Sequence, residues 1–130
     1  LSPLFKDVFL YHWKEESQHA IIDELEWVRH DASVSAEERD TGVTEFIELV
    51  GAVDGILQGQ AAADAAYFAE TCGRQMAAEE VVAVESGMLA AYRWQYIFSG
   101  AQHPHFGKVL GGMITAEQGE RIQSALGSIG

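Results

Sequence analysis

Apolar residues recur along this chain at steps of three and four, and nowhere alternate with polar ones for long enough to form a strand, so the pattern reads as all-α. The first helical stretch runs from Pro3 to His30, with Ser2 placed as N-cap and Pro3 at the first position, where a missing N–H costs nothing. Its apolar residues fall on two sides. Phe5, Val8, Phe9 and Trp27 flank one stripe, and Leu10, Ile21, Ile22, Leu25 and Val28 lie opposite, as expected of a helix central to a bundle. Ser35 and Glu38 form a capping box that opens a second helix. It continues through Phe46, Ile47, Val50, Val53, Ile56 and Leu57 to Tyr67 and Phe68, and stops near Cys72-Gly73. Gly51, Gly55 and Gly59 recur every fourth residue along it and predict close approach of another helix. A third helix fits Met76 to Phe98, and Gly100 to Met113, with four glycines and Pro104, reads as an irregular loop. Thr115-Ala116-Glu117-Gln118 is a second capping box, opening a last helix through Leu126. The expectation is three long helices and one short, in a single helical domain covering residues 1–130.

The stripe on the first helix is polar. His12, Glu16, His19, Asp23 and His30 lie at about 120°, 160°, 100°, 140° and 120° around the axis. Within it, Glu16-Ser17-Gln18-His19 sets a carboxylate and an imidazole about 60° apart, so that both can grip one metal ion. A carboxylate–imidazole ladder in an apolar face is costly to bury unpaired, and a metal ion satisfies both ligand types, so the stripe is expected to turn inward. The plain alternative is a solvated Glu and His that happen to be neighbours. His12 extends the stripe by one turn. Glu15 points about 100° away and either orients another ligand's imidazole or is simply solvated. Asp23, one turn beyond His19, is placed to accept that ring's remaining N–H.

On the other helices Glu85 shares its face with Val81, Met88 and Tyr92, and Asp54 is surrounded by Val43, Ile47, Val50, Leu57 and Ala61. Each is either a lone-carboxylate metal ligand or a buried acid satisfied by Tyr, Trp or Arg, with Arg93 the first partner to suspect. His103 and His105 flank Pro104 and either capture a surface metal or are ordinary loop residues. Tyr92, Trp94, Tyr96 and Phe98 line a substrate pocket or are core.

Composition narrows the classes. The chain has 130 residues, 48% of them hydrophobic, which suffices for one core. Twenty acidic against eight basic residues give a net charge of −12, which repels phosphate backbones and anionic lipid and argues against nucleic-acid and membrane partners. A lone cysteine, Cys72, and no signal-like segment fit a reducing cytoplasm. The start at Leu1 suggests a processed or truncated product. There is no phosphate loop, nucleophile elbow or CxxC pair.

Through Trp13-Lys14-Glu15-Glu16-Ser17-Gln18-His19-Ala20 and Asp23-Glu24-Leu25-Glu26-Trp27, the chain resembles the ferritin-like di-iron carboxylate superfamily, most nearly the C-terminal half of an uncharacterised bacterial ferritin-like group. The likeness extends to Phe5-Lys6-Asp7, Val50-Gly51-Ala52-Val53-Asp54-Gly55, Ala91-Tyr92-Arg93-Trp94-Gln95-Tyr96 and Gly111-Gly112-Met113-Ile114-Thr115. The resemblance implies a ferritin-like four-helix bundle whose ligands come as Glu, Glu-x-x-His, Glu and Glu-x-x-His. Glu16 and His19 match the final pair, and the other ligating helices would precede Leu1. It also implies iron, or manganese, as a two-metal cofactor, and an oxidoreductase or oxygenase using dioxygen or peroxide. The chain shows one such pair, so it would act as part of a longer protein or as a homodimer in which each copy donates a pair. Two readings stand beside this: a non-catalytic helical dimerisation module without metal, and iron storage or detoxification.

Overall fold

The computed structural model describes residues 2–130, which are all-helical, with no strand among them. The helices are α1 (Pro3–Asp31), α2 (Ala36–Thr71), α3 (Ala78–Arg93), a π-helical turn (Trp94–Phe98), a short α4 (Ser99–Ala101), α5 (Pro104–Gly111) and α6 (Ala116–Ile129). Among the described residues no helix is long and apolar enough to cross a membrane. The chain divides into two compact units, one ending at Arg39 and the other Asp40–Gly130.

In the first unit α1 begins where its cap predicts, with the Ser2 hydroxyl accepting the Phe5 N–H at 3.2 Å. Past its end, Arg39 donates to the Asp31 carboxylate at 2.7 Å and to the Asp31 carbonyl at 3.2 Å. The Ser35 hydroxyl accepts the Glu38 N–H at 3.2 Å, while the Glu38 carboxylate accepts the Ser35 N–H at 2.8 Å, a complete capping box. No residue of α1 is buried. The expectation of a central helix with an inward polar stripe is therefore not met by the chain alone, because a unit of one helix and the first turn of the next offers nothing to bury it against.

In the second unit the core lies along one face of α2, at Val43, Leu57, Ala61 and Ala65, with Ile97 from the π turn and Ile122 from α6. Side chains tie these helices together. Arg93 at the end of α3 forks onto Asp54, with Nε at 2.7 Å from Oδ1 and Nη2 at 2.9 Å from Oδ2. From the neighbouring position on α3, the Tyr92 hydroxyl donates to Asp64, ten residues beyond Asp54 on α2, at 2.6 Å. At the other end of α2, Asp40 accepts from Gln118 at 3.0 Å and from Arg121 at 2.6 Å, and Arg121 also reaches the Thr44 hydroxyl at 2.6 Å. The Phe46 and Phe106 rings meet at 6.4 Å between centroids.

The turns follow local chemistry. Gly73, at φ +77°, terminates α2 in the left-handed region that other residues avoid. Arg74 then pairs with Glu80, whose carboxylate also accepts the Ala77 N–H; the Arg74 guanidinium, followed by that backbone bond, pulls the Glu80 carboxyl down to about 2. Thr115 and Gln118 complete their capping box at 3.2 and 3.0 Å.

Two expectations need correction. The segment read as an irregular loop contains α5. Pro104 occupies its first position, the His103 ring caps it by accepting the His105 N–H at 3.3 Å, and Phe106, Val109 and Leu110 give it one half-buried face that the glycines obscure in sequence. The glycine stripe, in turn, admits no close neighbour: a methyl group at Gly51, Gly55 or Gly59 would meet nothing within 4 Å. Gly55→Ala should accordingly raise stability by about 0.5–1 kcal/mol, since it removes unfolded-state freedom without a clash. Chemical denaturation checks this, and a loss of stability would show that the stripe is occupied.

Candidate metal centre

The stripe on α1 does converge on itself. The helical rise sets His12 and Glu16 one turn apart, and Nε2 of the first lies 3.7 Å from Oε1 of the second. His19 sits between two carboxylates, with Nε2 2.9 Å from Glu15 Oε1 and Nδ1 3.5 Å from Glu16 Oε2. His12, Glu15 and Glu16 each present one ligand atom within 4.8 Å of the others. Metal–ligand distances of about 2.0–2.2 Å hold neighbouring ligand atoms about 3 to 4 Å apart, so small rotamer changes would let this trio share one ion. Imidazole nitrogen with carboxylate oxygen is a donor set that suits first-row transition metals.

All four side chains are more than half exposed. Water screens these contacts, and as ion pairs they stabilise α1 little. The donors therefore form an open, partial coordination sphere on one helix. All of its donors come from one side.

The remaining sequence candidates fall elsewhere. Asp23 is exposed, and both His19 ring nitrogens face Glu15 and Glu16 instead of it. Glu15 and Asp23 both stand one i,i+4 step from His19, but a helical side chain leans toward the N-terminus, which carries the imidazole onto Glu15. Asp54 belongs to the second unit. Arg93 and Gln58, the latter at 2.7 Å, occupy its oxygens, and the Arg93 guanidinium holds its carboxyl below the ordinary value of 3.8 against the opposing effect of burial. It is the buried acid satisfied by arginine, one of the two roles its apolar setting suggests. Glu85 is half-buried on α3. His103 serves as the cap of α5. The Tyr92–Asp64 bond lowers the Asp64 carboxyl and raises the Tyr92 hydroxyl, a coupling between residues 28 apart that no local pattern announces.

Compared with known protein families, with curated proteins and with solved structures, the chain matches none.

Proposed function

We propose that this chain is a transition-metal protein whose α1 supplies a Glu16/His19 ligand pair, in the manner of a ferritin-like di-iron carboxylate protein acting as an oxidoreductase or oxygenase. The single observation that carries the reading is the convergence of His12, Glu15, Glu16 and His19 on one exposed patch of α1. Iron, or manganese, bound there supplies redox chemistry toward dioxygen or peroxide. Glu16 is common to both donor sets, the pair with His19 that the resemblance implies and the trio with His12 and Glu15 whose ligand atoms lie within 4.8 Å of one another. These residues fit one ion. A two-metal centre requires carboxylates and a second Glu-x-x-His from outside α1 of this chain.

Metal analysis after anaerobic loading with iron(II) tests the proposal. The chain is expected to retain at least one ion per two chains, and Glu16→Ala to lower the affinity by about 100-fold or more, beyond the 10- to 100-fold typical of residues that only orient ligands. Less than one ion per two chains, with no effect of Glu16→Ala, rejects it. Iron oxidation continuing far beyond two ions per site would instead favour storage or detoxification.

A second reading, a helical dimerisation module without metal, is favoured by the absence of any buried residue in α1 despite its many large apolar side chains.

A further inference from the structure

The first unit is a single 29-residue helix with a terminal turn, and it has no core. Isolated helices are marginal in water, and units of this size need a partner to be stable. Phe5, Val8 and Phe9, which flank the polar stripe, are 43%, 57% and 57% exposed, so covering that face of α1 would remove apolar surface from water.

The identity of the partner follows from the symmetry of the stripe. Phe9, His12, Glu16, His19, Asp23 and Glu26 succeed one another at steps of three and four, the seam of a helix pair. The helix midpoint, Ser17, falls between Glu16 and His19. An antiparallel pair about a two-fold axis at that point sets Glu16 level with the partner's His19, His12 level with the partner's Asp23, and Phe9 level with the partner's Glu26. Every central layer then opposes a carboxylate to an imidazole. A parallel pair would oppose carboxylate to carboxylate and imidazole to imidazole, which is repulsive for the acids. The length of α1 gives a contact strip about 43 Å long and about 10 Å wide. That strip, about 430 Å², is about half the ~800 Å² per partner of a standard interface, so the pair is expected to be a weak dimer.

We infer that α1 pairs antiparallel with α1 of a second copy of this chain about an axis between Glu16 and His19, joining two half-built donor sets face to face. The joined site rests on the metal reading above; the pairing of the helices does not. In the pair, two Glu16 and two His19 side chains approach the axis, closing the open side that one chain leaves, while each His12 stands about 8 Å along the helix, level with the partner's Asp23.

Sedimentation velocity on the full chain at about 50 μM, with helix content followed by circular dichroism, tests this. Wild type is expected to be a dimer. His19→Glu, which sets acid against acid, should weaken the dimer by at least about tenfold. The exchanged double variant Glu16→His with His19→Glu restores opposite partners in every central layer and should return the affinity to within about threefold of wild type. A helical monomer at all concentrations overturns the pairing, as does a dimer indifferent to His19→Glu or not rescued by the exchange. Manganese(II) titration of the same samples separates the two ideas. A dimer that responds to the substitutions as stated but binds no ion keeps the pairing and rejects the metal reading. A monomer that binds an ion through Glu16 keeps the metal reading and rejects the pairing.

Discussion

Arg93→Met is expected to destabilise the Asp40–Gly130 unit by about 3 to 5 kcal/mol at neutral pH, a large part of the total stability of a small domain. Asp54 has only 8% of its side chain exposed, so its carboxylate cannot turn freely to water when Arg93 is lost. The methionine would replace the aliphatic stem but leave the Asp54 carboxylate with Gln58 alone. Replacing both at once, Asp54→Leu with Arg93→Met, should cost much less than the sum of the single changes, because no charge is then stranded. The pH dependence carries its own sign. The Asp54 carboxyl is held below 3.8 in the fold, so the pair contributes fully above that value and its contribution is lost as pH falls through the lower folded value. The gap between wild type and Arg93→Met should therefore be widest above pH 4 and narrow in stronger acid. Urea unfolding at several pH values measures this, and a gap that is constant or widens in acid would place the effect elsewhere.

Ala61→Leu is the second large effect, at about 1 to 3 kcal/mol of destabilisation. Ala61 is 0% exposed and Ala65 1%, the most deeply buried residues of α2, and a methyl group already fills the space there. Extra carbons must displace packed neighbours or leave their rotamers. The contrast with Gly55→Ala six residues earlier is instructive. On one helix an added methyl stabilises where the face is open, and three added carbons destabilise where it is closed. Thermal unfolding should show the two variants moving in opposite directions. Similar shifts in both would mean that α2 is oriented differently around its axis.

The parts of this fold that could be read from sequence are those settled within one helical turn. Ser2, the Ser35/Glu38 box, the Thr115/Gln118 box and Gly73 each satisfy or end a helix with their own neighbours, and all act as their spacing suggests. Asp54 was suspect for a physical reason, a charge in an apolar stripe, and Arg93 answers it. Glu16 and His19 also approach each other by helical geometry alone, although the donors that converge within 4.8 Å are His12, Glu15 and Glu16. What sequence did not yield depends on distant elements. The Asp40–Gln118–Arg121 network joins residues about eighty apart. The glycine stripe suggested a neighbour because small residues permit one, but permission is not presence. The exposure of the α1 stripe was hidden too, because periodicity reports that a face is distinct and not what covers it.

The π-helical turn at Trp94–Phe98 has a bearing on how this chain can change. There the Ser99 N–H reaches back five residues to the Trp94 carbonyl, so the winding takes in one residue more than an ordinary turn. Removing a residue from the segment would let the coil close to its usual pitch, and because the wide turn already absorbs that residue, later side chains would keep nearly the same facing. The rod formed by α3 and α4 thus holds its slack in its own winding, and the loss of one residue there would be taken up locally, with the C-terminal third left facing as it does.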